Sequence, residues 1–289
     1  MSNEMGQAQS WILSFKCPDQ LGVVARYSNI FLECGAFITE ISNYSDPISG
    51  TFFLRCVFDD REPSFSHELF MERFLVLAEE MQMQYTLRQA EALPRLLLAV
   101  SKYDHCLNTL LTKWKSGALS ANVVGVVSNH DDCRGIVEWY GLSYHHYPIS
   151  RATRPAQEAQ ILALMDEAKV DLLVLARYMQ ILSNDMCIAL EGRAINIHHS
   201  FLPGFKGARP YHQAYDRGVK VIGATAHYVT SDLDEGPIIS QEVRPIDHQV
   251  SVEQMVHYGH DTEATALSHA VRLHCEQRVM LNGQRTVIL

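Results

Sequence analysis

Long apolar segments and positive charge are both scarce in this chain of 289 residues. No stretch of about 18 uninterrupted apolar residues occurs, and the first ten residues, MSNEMGQAQS, contain neither a basic cluster nor an apolar core. The formal net charge is -9, which disfavours binding to nucleic acid. We therefore expect no export signal, no membrane partner and no nucleic-acid partner.

Paired cysteines with the spacing of a metal or redox motif are missing too. The seven cysteines are scattered without a C-x-x-C pair, and their odd number fits free thiols in a reducing compartment. We expect a cytoplasmic protein.

Two signatures of metal-dependent or nucleophile-dependent hydrolases, H-E-x-x-H and G-x-S-x-G, do not occur. Among the 14 histidines, His198 and His199 are adjacent and should face opposite sides of a strand. Zinc and a cysteine nucleophile at Cys106, beside His105, stay open as alternatives, although catalytic Cys–His pairs are built by folding rather than by adjacency. We predict a site without metal.

The segment INIHHSFLP (195–203) carries the first positive signal for function. Side chains alternate along a strand, so Asn196 and His198 should point the same way at the end of an apolar strand. The later run HYVTSDLDEGP (227–237) places Asp234 among turn residues. Taken singly, the histidine could be a packed core residue and the aspartate a turn residue. Together, an amide donor, a proton carrier and a carboxylate suit acyl or formyl transfer.

Residues 11–89 are predicted to form a separate unit with the element order βαββαβ. Apolar runs bounded by turn residues predict strands, and apolar residues at three- and four-residue spacing predict helices. The predicted strands cover 11–15, 37–43, 51–58 and 85–88, and the predicted helices begin near 23 and 65. This order is the ferredoxin-like arrangement.

This unit resembles an ACT domain, a small-molecule sensor that usually pairs with another copy. The resemblance rests on PDQLG at 18–22 and GAFI at 35–38. It implies a regulatory or oligomerisation domain over residues 8–90, a homo-oligomer and an amino-acid effector. The implied effector site comprises Asp19, Gln20, Leu21, Gly22, Phe37 and Ile38. Phe37 stands where many ACT domains carry an asparagine, and a purely structural dimerisation module stays open as an alternative.

A second domain is predicted over residues 94–289, because Pro94 in the linker AEALPR prevents helix continuation. Continuous apolar strands then alternate with helical patterns, which indicates a mostly parallel sheet covered on both faces, a Rossmann-like arrangement. A strand pair, a long helix from Val252 and a hairpin around Asn282 and Gly283 follow. The predicted fold class is therefore α/β, with the ferredoxin-like domain first.

The second domain closely resembles the folate-dependent formyltransferase and hydrolase family. That family's catalytic trio is an Asn and a His two apart in such a motif plus the Asp of an LDxGP loop, which corresponds here to Asn196, His198 and Asp234. LARYMQILS (175–183) corresponds to the loop that holds the pterin ring; read alone, it is a strand-to-helix connection with Ser183 as the helix N-cap. The implied folate-binding residues are Arg177, Tyr178, Met179, Gln180, Ile181, Leu182 and Asp232.

The loop after the first strand of this domain favours the hydrolase branch. It reads VSKYDHC from Val100 and lacks the glycines that present backbone amides to a phosphate in the relative that formylates glycinamide ribonucleotide. Asp104 would repel an anion at the helix start, although Lys102 could still hold one. The implied first-loop site comprises Ser101, Lys102, Asp104 and His105.

The resemblance thus implies hydrolysis of 10-formyltetrahydrofolate to formate and tetrahydrofolate, which supplies formate for purine synthesis and balances the one-carbon folate pool. The partners at the site would be the folate substrate and water, with no tightly bound cofactor. A folate-dependent formyltransferase acting on an amine acceptor is the alternative within the family. A non-catalytic folate or amino-acid sensor is the alternative from another class.

Overall fold

The computed structural model describes residues 8–202 and 210–289. The chain divides into two compact units. The first is built from the chain up to Leu93, together with Gln277–Asn282 and Val287–Leu289, and the second from Pro94–Glu276 and Gly283–Thr286.

The first unit is a four-stranded antiparallel sheet with two helices. Its elements are β1 (Ser10–Pro18), α1 (Val23–Glu33), β2 (Phe37–Asp46), β3 (Thr51–Asp59), α2 (His67–Glu80) and β4 (Gln84–Gln89). The strand order is β2-β3-β1-β4, so β2 and β4 are the edges. An aromatic cluster fills the core, in which Phe31 packs edge-on against Phe58 and Phe70 at centroid distances of 5.0 and 5.1 Å.

The end of the chain returns to the first unit. Gln277–Asn282 packs there, where Arg278 Nη2 donates to Glu40 Oε1 at 2.7 Å and Asn282 Nδ2 donates to Asp46 Oδ2 at 2.7 Å. The division therefore differs from the predicted range 94–289, because these long-range hydrogen bonds leave no local trace in the sequence.

The second unit carries a seven-stranded sheet in the order β11-β10-β9-β8-β5-β6-β7. The elements up to the end of the parallel part are β5 (Arg95–Val100), α3 (His105–Lys115), β6 (Asn122–Ser128), α4 (Arg134–Trp139), β7 (Tyr144–His146), α5 (Arg154–Glu167), β8 (Leu172–Leu175), α6 (Asn184–Ala189) and β9 (Ala194–His198). The elements that follow are α7 (Pro210–Asp216), β10 (Val221–Tyr228), β11 (Ile238–Pro245) and α8 (Val252–Cys275). Of the last two strands, β12 (Val279–Asn282) belongs to the first unit and β13 (Arg285–Ile288) is divided between the two.

The mostly parallel sheet confirms the predicted Rossmann-like class. β5 to β9 pair in parallel, whereas β10 runs antiparallel to β9 and β11 antiparallel to β10. Ser183 caps α6 as predicted, since its side chain accepts from the backbone N–H of Met186. The short elements β7 and α7 were not predicted. Across the described residues, none of the helices combines the length and apolar character needed to cross a membrane.

Candidate active site

A pocket of about 270 Å³ lies at the carboxyl ends of β8 and β9. Its lining includes Asn196 and His198 of β9, Asp234 of the loop after β10, and the whole of the loop 177–182 after β8. Ligands of open α/β sheets usually bind beyond the carboxyl ends of the strands. The structure therefore brings the three predicted catalytic residues and the predicted folate loop together.

Asp234 is fixed opposite the imidazole of His198. Its Oδ2 lies 3.1 Å from Nδ1 of His198, a residue that is buried at the end of β9. The φ angle of Asp234 is 59°, in the left-handed region that aspartate and asparagine tolerate better than most residues. The backbone is thus strained at the residue that meets the histidine, as is common at functional sites.

Gly236 allows this loop to fold back on β10. The backbone N–H of Tyr228 donates to the carbonyl of Pro237 at 3.0 Å, which brings the two segments into close contact. A Cβ atom on Gly236 would lie 1.8 Å from the carbonyl oxygen of Tyr228. Only glycine fits here, and the position of Asp234 depends on this close approach.

His227 is a site residue that the sequence analysis missed. Its Nε2 lies 3.8 Å from Oδ1 of Asp234 and 3.4 Å from Nδ2 of Asn196, and its Nδ1 lies 2.8 Å from the carbonyl of Tyr228. In the tautomer whose Nδ1 donates to that carbonyl, Nε2 can accept the amide N–H of Asn196. His227 is brought to the site by the antiparallel register of β9 and β10, which places it directly opposite Asn196. The sequence alone does not reveal this register.

The carboxyl group of Asp234 is held in its ionised form. Burial acts to raise its pKa, but the hydrogen bond from His198 and the proximity of the two imidazole rings outweigh burial. The pKa of Asp234 therefore lies well below its ordinary value. A carboxylate at this position can hold an imidazolium at His198 or orient water.

The expectation that His199 faces away from His198 is wrong. The strand ends at His198, so the alternation of side chains stops there, and both rings line the pocket with their centroids 5.0 Å apart. Burial, with the charges of Arg177 and His198, lowers the pKa of His199 to about 4. His199 is therefore a neutral side chain near neutral pH.

The predicted folate loop lines one wall of the pocket. Met179 and Ile181 are more than half exposed and offer apolar surface, whereas Ser101 fixes the backbone: its hydroxyl accepts from the N–H of Met179 at 2.9 Å and donates to Asn129 Oδ1 at 2.7 Å. Apolar walls with backbone polar groups along their edges suit a planar heterocycle. Asp232 is exposed and, among the described residues, is not part of the lining.

The four residues of the predicted first-loop site do not meet at the pocket. Ser101 is buried behind the folate loop, Lys102 is exposed, and Asp104 accepts from the side chain of Asn108 at 2.8 Å. Within the described residues, the pocket lining includes none of these three residues and does not include His105.

His105 instead joins a buried charge cluster around Glu263 of α8. Oxygens of Glu263 lie 2.8 Å from His105 Nε2, 2.8 Å from the hydroxyl of Tyr211 and 3.3 Å from Arg177 Nε. The ligand atoms of His105, Cys106 and Glu263 come within 4.8 Å of one another, the spacing of a metal site. The carboxylate is already engaged by donors, and burial raises the pKa of the Cys106 thiol well above its ordinary value. A protonated thiol in this setting argues against the cysteine-nucleophile alternative.

The predicted effector residues do not converge within one chain. Residues 19–22 follow the end of β1 at Pro18, whereas 37–38 begin β2 beside Asp59, which pairs with Ser10 at the start of β1. The two groups therefore lie at opposite ends of the sheet, roughly 25 Å apart for a strand of this length.

Comparisons with known proteins identify the family of this chain. The sequence profile of the formyl transferase family matches residues 94–271. A formyltetrahydrofolate deformylase of Corynebacterium sp. (strain P-1) is 48% identical over 99% of this chain and 100% of its own length. The crystal structure of formyltetrahydrofolate deformylase from Burkholderia mallei ATCC 23344 superposes with a TM-score of 0.93 at 44% identity and covers 97% of this chain and 99% of that one.

Glycinamide ribonucleotide transformylase 1 from Symbiobacterium toebii superposes over a smaller part of the chain, with a TM-score of 0.64 at 32% identity over 68% of this chain and 94% of its own. The deformylases, in contrast, cover 97% and 99% of this chain. The chain belongs to the formyl transferase family and, over nearly its full length, to the formyltetrahydrofolate deformylases within it.

Proposed function

We propose that this chain hydrolyses 10-formyltetrahydrofolate to formate and tetrahydrofolate. The observation that carries the proposal is the ionised Asp234 paired with His198, beside Asn196, in a pocket whose other wall is the loop 177–182. Family membership at high identity over both units supports the same substrate.

The three side chains divide the chemistry. Water attacks the formyl carbon, and the amide of Asn196 donates to the oxygen on which negative charge develops; losing one such donor costs about 3 to 4 kcal/mol of transition-state stabilisation. His198 stabilises the same charge or supplies the proton that the leaving nitrogen needs. Asp234 pairs with His198, stabilises the positive charge that a proton on this ring would bring, and orients or deprotonates the water. This scheme uses no metal and no tightly bound cofactor.

Formyl transfer to an amine acceptor is the second candidate, since a glycinamide ribonucleotide transformylase shares the fold. A phosphorylated acceptor needs an anion site, and the loop from Ser101 to Cys106 contains no glycine. Asp104, at the start of α3, adds a negative charge where a phosphate would bind. These features favour water as the acceptor.

Formate release decides between the two candidates. The purified chain is assayed with 10-formyltetrahydrofolate, once alone and once with glycinamide ribonucleotide. We expect formate at the same rate in both reactions and no formylated ribonucleotide. Formylated ribonucleotide accumulating in place of formate would establish the transferase.

We further propose that the first unit is an ACT-like ferredoxin fold that associates between subunits and takes a small effector, with amino acids as the first class to test. The order β2-β3-β1-β4 supports this reading, as do the exposed apolar side chains of Phe37, Ile41 and Tyr44 on the edge strand β2. Because 19–22 and 37–38 lie at opposite ends of the sheet, one ligand can touch both groups only where two copies meet. A cytoplasmic location fits the seven buried free cysteines.

The assembly is tested by sedimentation of Ile41→Lys, with Val24→Lys on α1 as the control for adding charge at an exposed apolar position. We expect only Ile41→Lys to lower the mass and to weaken any amino-acid response of activity. An unchanged mass would contradict association through β2. Coupling is reciprocal, so an effector should also alter folate affinity by the same factor.

A further inference from the structure

Arg177 is the one residue of the folate loop whose side chain is held by a buried counter-charge. It is 9% exposed, and its Nε lies 3.3 Å from Glu263, whose side chain is completely buried. Burial acts to raise the pKa of Glu263, but hydrogen bonding from His105 and the charge of Arg177 outweigh it, so that the pKa lies below its ordinary value. The guanidinium is thus anchored on an ionised carboxylate from a distant helix.

The anchored guanidinium keeps unused donors. Its Nη1 is buried and has no hydrogen-bond partner among residues 8–202 and 210–289, although Arg177 lines the pocket. A guanidinium carries five N–H donors in a planar fork, and leaving a buried charged donor unpaired is costly. The fork matches the two oxygens of a carboxylate, with which it forms paired, charge-assisted hydrogen bonds.

The backbone of Arg177 is also strained. Its φ angle is 64°, a conformation that long side chains rarely adopt, and its carbonyl accepts from the N–H of Ser101 at 3.2 Å. Glycine would adopt this conformation freely. An arginine in this conformation that also lines the pocket suggests a task for the side chain.

The same pocket holds a second unpaired polar atom. His198 Nε2 is buried and has no hydrogen-bond partner in the described part of the chain, and His198 lies beside Asp234. His199 lines the same pocket as both residues, and its ring lies 5.0 Å from that of His198. Arg177 therefore lines the same pocket as the residues proposed to act on the formyl group.

We propose that Arg177 binds the formate carboxylate as it forms, through the N–H groups of Nη1. This inference rests on the proposed hydrolysis. A carbon–oxygen bond forms from water to the formyl carbon and the carbon–nitrogen bond breaks; one proton of the water goes to the folate nitrogen and the other leaves to solvent. Two equivalent carboxylate oxygens remain, and Arg177 recognises this planar anion and stabilises the negative charge that precedes it.

The test compares Arg177→Gly with Glu263→Gln and with the surface variant Arg134→Gln. Glycine relieves the backbone strain at 177, so Arg177→Gly should fold. Glu263→Gln removes the counter-charge but keeps the guanidinium. Binding of carbon-13-labelled formate to the folate-free enzyme is measured by NMR line broadening, and kcat, KM and formate inhibition are measured with substrate.

We expect Arg177→Gly to weaken formate binding and lower kcat by at least about tenfold each, with KM changed less than about threefold, because the folate contacts persist. Millimolar guanidinium should restore part of the kcat of this variant, whereas methylammonium should not. Glu263→Gln and Arg134→Gln should bind formate within about threefold of the wild type.

Unchanged formate binding in Arg177→Gly overturns the proposal. An equal loss of formate binding in Arg177→Gly and Glu263→Gln, without rescue by guanidinium, also overturns it, because Arg177 would then act only as a structural counter-ion of Glu263. A wild-type chain that releases no formate from 10-formyltetrahydrofolate refutes the proposed function instead. Release of formate combined with binding independent of Arg177 refutes only the role of Arg177.

Discussion

Replacing Asp234 by asparagine isolates the charge of one site residue. Asparagine has nearly the same shape and tolerates the left-handed backbone at φ 59°, so the loop should keep its conformation. The close approach of Gly236 to Tyr228 also remains. The asparagine amide can face His198 Nδ1, which lies 3.1 Å from the carboxylate oxygen in the wild type, in two orientations. Either its uncharged oxygen takes the place of the carboxylate oxygen, or its NH2 group, which can only donate, faces the ring.

The size of the effect follows from this geometry. A hydrogen bond from an ionised group in a partly buried site contributes about 1.5 to 3 kcal/mol, and an imidazolium in the transition state depends on the carboxylate more than the neutral ring does. A loss of about 3 kcal/mol corresponds to a fall in turnover of about a hundredfold. Removal of the amide of Asn196 or the ring of His198 by alanine should lower turnover at least as much.

The assay measures formate release under saturating 10-formyltetrahydrofolate, with far-ultraviolet circular dichroism to establish folding. Glu235→Gln is the matched control, because it makes the same change from carboxylate to amide at the next, exposed residue. We expect the control to stay within about twofold of the wild type, as is usual for surface substitutions. A folded Asp234→Asn protein with turnover near normal would refute the assigned role.

Three further perturbations test the surroundings of the site. Gly236→Ala should lower formate release nearly as much as Asp234→Asn in a folded protein, since the added methyl group would meet the Tyr228 carbonyl at 1.8 Å and must displace the loop; normal activity would show that the loop adapts. Ser101→Ala should raise KM for the folate several-fold with little change in kcat, because the N–H of Met179 loses its acceptor; an effect on kcat alone would contradict this positioning role. His199 remains neutral in the folded state down to a pKa of about 4, while the unfolded chain binds a proton near the ordinary value of 6.5, so acidification in this window favours unfolding. Urea titrations should show that His199→Gln loses about 2 kcal/mol less unfolding free energy than the wild type between pH 7 and pH 5, and equal losses would contradict the burial argument.

The sequence was sufficient for features that depend on local periodicity. Alternation along β9 placed Asn196 and His198 on one side, and both line the pocket. The same rule failed at His199, because alternation holds only while the strand lasts and β9 ends at His198. Ser183 was recognisable as a cap because capping depends only on nearby residues: a hydroxyl just before the first helical residue accepts from a backbone N–H of the first turn, here that of Met186.

Features that depend on pairing between distant segments could not be derived in this way. His227 lies in the apolar strand β10 and resembles a core histidine until the register with β9 is known. Glu263 sits in the middle of α8, and nothing nearby in the sequence marks it as the partner of His105 and Arg177. The buried charge of Glu263 is compensated by donors from three other segments of the chain, namely His105, Arg177 and Tyr211.

Backbone strain gives an independent argument about where this fold is specialised. Five described residues other than glycine have positive φ, and three of them directly follow helix ends, where a left-handed residue is an ordinary way to stop a helix; these are Gln82, Lys169 and Gln277. Arg177 and Asp234 instead follow strands and have no helix to terminate. Both line the pocket, and both have charged side chains. Since glycine would relieve the strain at either position, the charged side chains there are better accounted for by the roles proposed for them, Asp234 as the partner of His198 and Arg177 as the group that binds formate.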